Sequence, residues 1–90
     1  MAKKHTEVIA EFRLVNERKE ALESLFKTTF FKLPEQIEYD GRHYRVRLMA
    51  PVVLNSSDLA KLSQLINGGC YSVSWTGNGG AVFVIYWGGQ

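Results

Sequence analysis

The chain has 90 residues, 46% of them hydrophobic, and its 11 basic and 9 acidic residues give a net charge of +2. This length predicts a single domain, 1–90, with residues 1–5 frayed. So mild a charge argues against a protein dedicated to nucleic acid or to membrane surfaces. No stretch approaches the roughly 20 apolar residues that a membrane span requires. The lone Cys70 excludes an internal disulfide, so we expect a cytoplasmic protein.

The first third of the chain predicts a strand followed by a helix. Residues 5–15 alternate in the manner of a half-buried strand, with Arg13 among the outward side chains. The side chains expected to face the core are Val8, Ala10, Phe12 and Leu14. Asn16 is then expected to cap a helix whose apolar residues recur at helical spacing until Pro34 ends it.

A hairpin is predicted next. Asp40 and Gly41 separate two alternating segments, and such a pair favours a tight turn. The inward side chains of the second segment are Tyr44, Val46 and Leu48, and its outward ones are His43, Arg45 and Arg47. The carboxylates near the start of the hairpin predict a solvated acidic rim, formed by Glu35, Glu38 and Asp40.

The second half predicts a helix and two further strands. The capping residues of 55–58 precede an amphipathic helix, which residues 67–69 end with two glycines. Residues 71–76 alternate as a strand, and the glycine-rich turn 77–80 leads into a last strand, 81–87.

The predicted order is therefore β-α-β-β-α-β-β, an α+β fold. Its first six elements have the order of a ferredoxin-like sandwich, with two helices on one face of an antiparallel sheet. The extra C-terminal strand is expected at the edge of the sheet, next to the fourth strand.

The last strand is apolar on both faces. Phe83, Ile85 and Trp87 point one way, and the residues between them point the other way. An apolar edge strand left bare would aggregate, so the sequence predicts a homodimer through this strand. The residues expected in that contact are Val82, Val84, Tyr86 and Trp87. The alternatives are that terminal residues fold over the strand or that it lies inside the sheet.

A basic cluster is the second candidate contact. The strand predicted over residues 5–15 places Arg13 on the same sheet face as the outward side chains of the hairpin, and the predicted partner-binding residues are Arg13, His43, Arg45 and Arg47. The same charges are typical of ion pairs on a solvated sheet, and they also resemble the basic residues around RNA-binding sheets. All three interpretations stay open at this stage.

The sequence predicts no catalytic residue, no metal site and no cofactor. Cys70 and His43 are not brought together by any motif, and Cys70 is expected to be buried or half-buried. The histidines and the cysteine lack zinc-ligand spacing. The glycines of 77–80 precede a strand, whereas phosphate-binding loops precede a helix.

These features predict a small non-enzymatic protein that acts by protein–protein contact. Chains of this kind are typical of adaptors and of phage- or plasmid-encoded inhibitors of a host defence or nucleic-acid-processing complex. The alternative is a nucleic-acid-binding module that uses the basic sheet face.

Overall fold

The computed structural model describes residues 2–29 and 34–88, with side chains from residue 12 onward. Within these residues, two helices and four strands follow the order α-β-β-α-β-β. They are α1 (Ala2–Thr29), β1 (Gln36–Tyr39), β2 (Tyr44–Leu48), α2 (Ser56–Leu65), β3 (Cys70–Trp75) and β4 (Ala81–Tyr86). The strands form one antiparallel sheet in the order β1-β2-β4-β3, so the α+β class is confirmed.

The predicted strand over residues 5–15 is wrong, because α1 covers this segment. The segment contains neither glycine nor proline, and its apolar residues fit a helix as well as a strand. Phe12 and Leu14 are 69% and 44% exposed rather than buried. Asn16 is an exposed residue in the middle of the helix and is not a cap. The end of α1 before Pro34 and the position of Phe30 lie outside the described residues.

Without that first strand the ferredoxin-like sandwich is not confirmed, and the last strand has a different place. β4 pairs with β2 on one side and with β3 on the other, so it lies inside the sheet. The prediction of an apolar edge strand is therefore wrong, and the alternative of an internal strand is correct. The two edges of the sheet are β1 and β3.

The hairpin from Gln36 to Leu48 is confirmed. Asp40 holds its loop, because Asp40 Oδ1 accepts hydrogen bonds of 3.0 Å from the backbone N–H groups of Arg42 and His43. Gly41 has a φ of +98°, a conformation that glycine adopts without steric cost. The pairing Tyr39↔Tyr44 then fixes which side chains of β2 face the core.

The N-terminus of α2 is capped as predicted. Asn55 Oδ1 accepts a 2.9 Å hydrogen bond from the backbone N–H of Asp58, and Asn55 Nδ2 donates to Asp58 Oδ2 at 2.9 Å. At the other end, the carbonyl of Ile66 accepts hydrogen bonds from the N–H groups of Gly69 and Gly88, at 3.1 and 2.8 Å. The C-terminal segment is thus tied to the end of α2.

Both helices pack on one face of the sheet. Phe26 of α1 meets Phe83 of β4 edge to face, with ring centroids 5.0 Å apart. The fully buried hydrophobic residues are Leu22 and Phe26 of α1, Leu62 and Ile66 at α2, and Tyr44, Val46, Leu48, Ala81, Phe83 and Ile85 of the two central strands. Alternation along β2 and β4 consequently turns their remaining side chains to the opposite face.

Candidate functional site

The face of the sheet opposite the helices, here called the open face, carries an apolar row between two polar flanks. β4 contributes the row, in which Val82 and Val84 are half-buried and Tyr86 is 44% exposed. The exposed arginines of β2, Arg45 and Arg47, lie on one flank. The serines of β3, Ser72 and Ser74, lie on the other.

The register identifies the neighbours of the two arginines. Arg45 lies opposite Glu38 of β1 and opposite Val84 of β4. Arg47 lies opposite Gln36 and Val82. An exposed cross-strand charge pair is worth only about 0.2–1 kcal/mol, so these arginines contribute little to the stability of the fold.

His43 lies at the hairpin end of the open face. Its ring centroid is 5.3 Å from that of Tyr86, and its Nε2 lies 3.3 Å from Asp40 Oδ2. The hydrogen bonds from the His43 and Arg42 backbones hold the pKa of Asp40 below its usual value, so this carboxylate is ionised at neutral pH. These contacts orient the His43 ring against Tyr86 and make the pair one aromatic surface.

Two shallow recesses flank the outward side of β2. One has a volume of about 240 Å³ and is lined by Glu38, Asp40, His43 and Arg45. The other has a volume of about 290 Å³, and its lining includes Glu35, Arg47 and Met49. The predicted acidic rim thus borders both arginines, with carboxylate and guanidinium groups side by side.

Arg13 does not join the other three predicted partner-binding residues. It is exposed on α1, whereas His43, Arg45 and Arg47 belong to the hairpin and its open face. Its grouping with them depended on the strand predicted over residues 5–15, which the structure replaces with a helix.

Trp87 also differs from its predicted companions. Val82, Val84 and Tyr86 share the open face, as the alternation predicted, but Trp87 turns toward the helices. Its ring packs against Tyr44 at a centroid distance of 5.7 Å, and the Arg18 guanidinium lies 5.0 Å from its centroid. Trp87 is therefore engaged within its own chain by an edge-to-face and a cation–π contact.

Cys70 is exposed, so the expectation of a buried or half-buried cysteine is wrong. It pairs with Tyr86 in the register of β3 and β4, and the His43 ring contacts the other side of Tyr86. Tyr86 thus separates the thiol from the imidazole, which do not form a nucleophile–base pair. Among the described residues no three His, Cys, Asp or Glu side chains come together as metal ligands would.

The polar flank formed by Ser72 and Ser74 is the part of the open face that sequence reasoning missed. Its signal was the serine alternation of the segment 71–76, but only the pairing of β3 with β4 shows which neighbours the serines have. The neighbour of Arg45 on the other side of β2 was also predicted wrongly, because β4 with Val84 lies where the first strand was expected.

Comparison with known proteins finds no family model, no curated protein and no solved structure that matches the chain. The helices of the described residues include none that combines the length and the apolar composition needed to cross a membrane.

Proposed function

We propose that this chain is a small non-enzymatic binding protein whose open face contacts another protein. One observation carries the proposal: the central strand β4 directs Val82, Val84 and Tyr86 away from the helices, where a solvated sheet would place polar residues. Hydrophobic side chains at the centre of a polar surface are typical of protein-binding patches.

The flanks of the row support the same function. Tyrosine and arginine are enriched among the residues that dominate binding energies, and Arg45 lies beside the row that contains Tyr86. Arg45 and Arg47 favour a partner surface with negative charge, which would speed association and set its orientation. Within this class we favour an inhibitor of a host defence or nucleic-acid-processing complex, since blocking such a complex requires only a complementary surface.

The test is affinity capture from nuclease-treated lysate of the cells that encode the chain, with quantification of the bound proteins. The variant R45E/R47E reverses both open-face charges. The control K27E/K61E makes the same change in net charge at exposed positions on the helices. We expect one protein to be captured in equal amounts by the native chain and by the control. The amount captured by R45E/R47E should be at least tenfold lower. If every captured protein binds all three chains equally, the open face is not the binding site.

A nucleic-acid function is the second candidate, and the contact of Tyr86 with His43 beside Arg45 is the observation that favours it. RNA-binding sheets stack bases on exposed aromatic residues and hold the backbone with basic ones. The mixed charge of the two recesses weighs against it. A labelled single-stranded RNA provides the test, because phosphate binding would weaken steeply with salt and would be lost in R45E/R47E.

A further inference from the structure

The outer edge of β3 lacks the features that normally prevent edge strands from pairing. β3 is six residues long, Cys70–Trp75, and it contains no charge and no proline. The opposite edge, β1, has only four residues, includes Glu38 and follows Pro34 closely. Edge strands of monomeric proteins are typically short, charged or interrupted by proline. β1 fits that description and β3 does not.

The hydrogen-bond pattern identifies the backbone groups of β3 that have no partner within residues 2–29 and 34–88. The N–H of Thr76 donates to the carbonyl of Gly80 at 2.9 Å, which makes these two residues a hydrogen-bonded pair of the β3–β4 ladder. Such pairs alternate along an antiparallel ladder, so Ser74, Ser72 and Cys70 bond to β4. Three residues therefore direct their N–H and C=O groups outward, namely Tyr71, Val73 and Trp75.

We propose that β3 pairs antiparallel with β3 of a second copy of this chain, about a two-fold axis at Val73. In this register Val73 faces its own counterpart, and Tyr71 faces Trp75 of the second copy. On the open face, Ser72 meets Ser74 of the second copy, and Cys70 meets Thr76. Every pair matches in polarity.

The second copy is the occupant that this edge fits because the strand is self-complementary. All three outward residues would form hydrogen-bonded pairs, which leaves no free backbone group between Tyr71 and Trp75. Trp75 is 58% exposed in the single chain, and Tyr71 of the second copy would cover it. Aromatic cross-strand pairs are among the favourable ones in sheets. The two sheets would join into one of eight strands, with both open faces on the same side.

The first test is the molar mass in solution, measured by light scattering during size exclusion over a range of concentrations. We expect twice the 10.2 kDa of the chain. V73P should give the mass of one chain, because proline removes an N–H that bonds to nothing within β3–β4 but bonds across the two-fold axis. V73T keeps the N–H and the branched shape, and it should remain a dimer. A native chain that stays at 10.2 kDa throughout would overturn the proposal.

A cross-link tests the register independently, and it remains decisive if V73P fails to fold. Residues in a non-hydrogen-bonded antiparallel pair have Cα atoms about 4.5 Å apart, within the range that a disulfide spans. T76C should therefore form a covalent dimer with Cys70 on oxidation. Within one chain these residues are about 20 Å apart along β3, too far to bridge.

S74C is the matched control, because position 74 lies opposite Ser72 of the second copy and should give no covalent dimer. Cross-linking of S74C but not T76C would overturn the register. If V84K dissociates the dimer and V73P does not, the contact lies on the open face and the proposal is overturned. R45E/R47E should keep the dimer mass. The molar mass therefore tests this pairing, and the capture experiment tests the open-face function independently of it.

Discussion

Tyr44 is the buried side chain whose modification tests the core most directly. It is 1% exposed, and its buried hydroxyl makes no hydrogen bond of good geometry, although the Arg18 guanidinium is close enough to lower its pKa. The ring itself is well packed, with centroids 4.6 Å from Tyr39 and 5.7 Å from Trp87. A buried hydroxyl without a partner costs about 1–3 kcal/mol, whereas phenylalanine keeps the ring and removes the polar atom.

We therefore expect Y44F to stabilise the protein by about 1 kcal/mol, which raises the Tm by about 4–8 °C for a domain of this size. Urea unfolding followed by circular dichroism measures the first quantity, and calorimetry measures the second. Y39F, at a residue that is 37% exposed, should change neither by a comparable amount. If Y44F lowers the free energy of unfolding by 1 kcal/mol or more, the hydroxyl makes a hydrogen bond in solution and the reasoning is refuted.

The same residue predicts an alkaline limit to stability. Burial raises the pKa of Tyr44 above its ordinary value of 10.0, and the charge and hydrogen-bonding capacity of the nearby Arg18 guanidinium only partly offset this effect. The unfolded chain therefore loses this proton at a lower pH than the folded one. The contribution of this group to the free energy of unfolding is fully present below pH 10. It is lost as the pH rises from there through the higher pKa of the folded state. Y44F has no hydroxyl to titrate at this position and should not lose this part of its stability. The difference in free energy of unfolding between Y44F and the native chain should therefore grow above pH 10.

Three further predictions concern the ends of α2 and the arginines of the open face. G69A should destabilise the protein by about 2 kcal/mol or more, because its Cβ would collide with the backbone carbonyl of Tyr86, whereas G77A meets nothing within 4 Å and should be nearly neutral in thermal unfolding. N55A should lower the free energy of unfolding by about 1 kcal/mol through loss of the α2 cap, and an unchanged urea midpoint would contradict this role. R45E/R47E should change the free energy of unfolding by less than about 1 kcal/mol, since both side chains are exposed; a larger loss would assign the arginines a structural role.

Local signals in the sequence were sufficient for the second half of the fold. The Asn55 cap and the glycine-containing loops each act within a few residues. Alternation along β2 and β4 likewise assigns Val46 and Phe83 to the core face, and Arg45 and Val84 to the open face, without reference to the rest of the chain. The N-terminal segment failed because its apolar spacing suits both a strand and a helix. Its uninterrupted run of helix-compatible residues decided the outcome, and α1 extends Phe12 beyond the core.

Strand order is the property that local pattern could not supply, and it decides how the surface is interpreted. An apolar last strand at an edge would pair through its backbone, whereas the same strand between β2 and β3 can bind only through its outward side chains. The edge positions belong instead to β1 and β3, and the serine alternation of β3 was a weaker signal than the apolar run of β4. The observed strand order thus replaces the one contact predicted for the last strand with two physically different candidate contacts. In the two proposals made above, side chains such as Tyr86 and Val84 would contact a protein partner, and the N–H and C=O groups of Val73 would pair with a second copy.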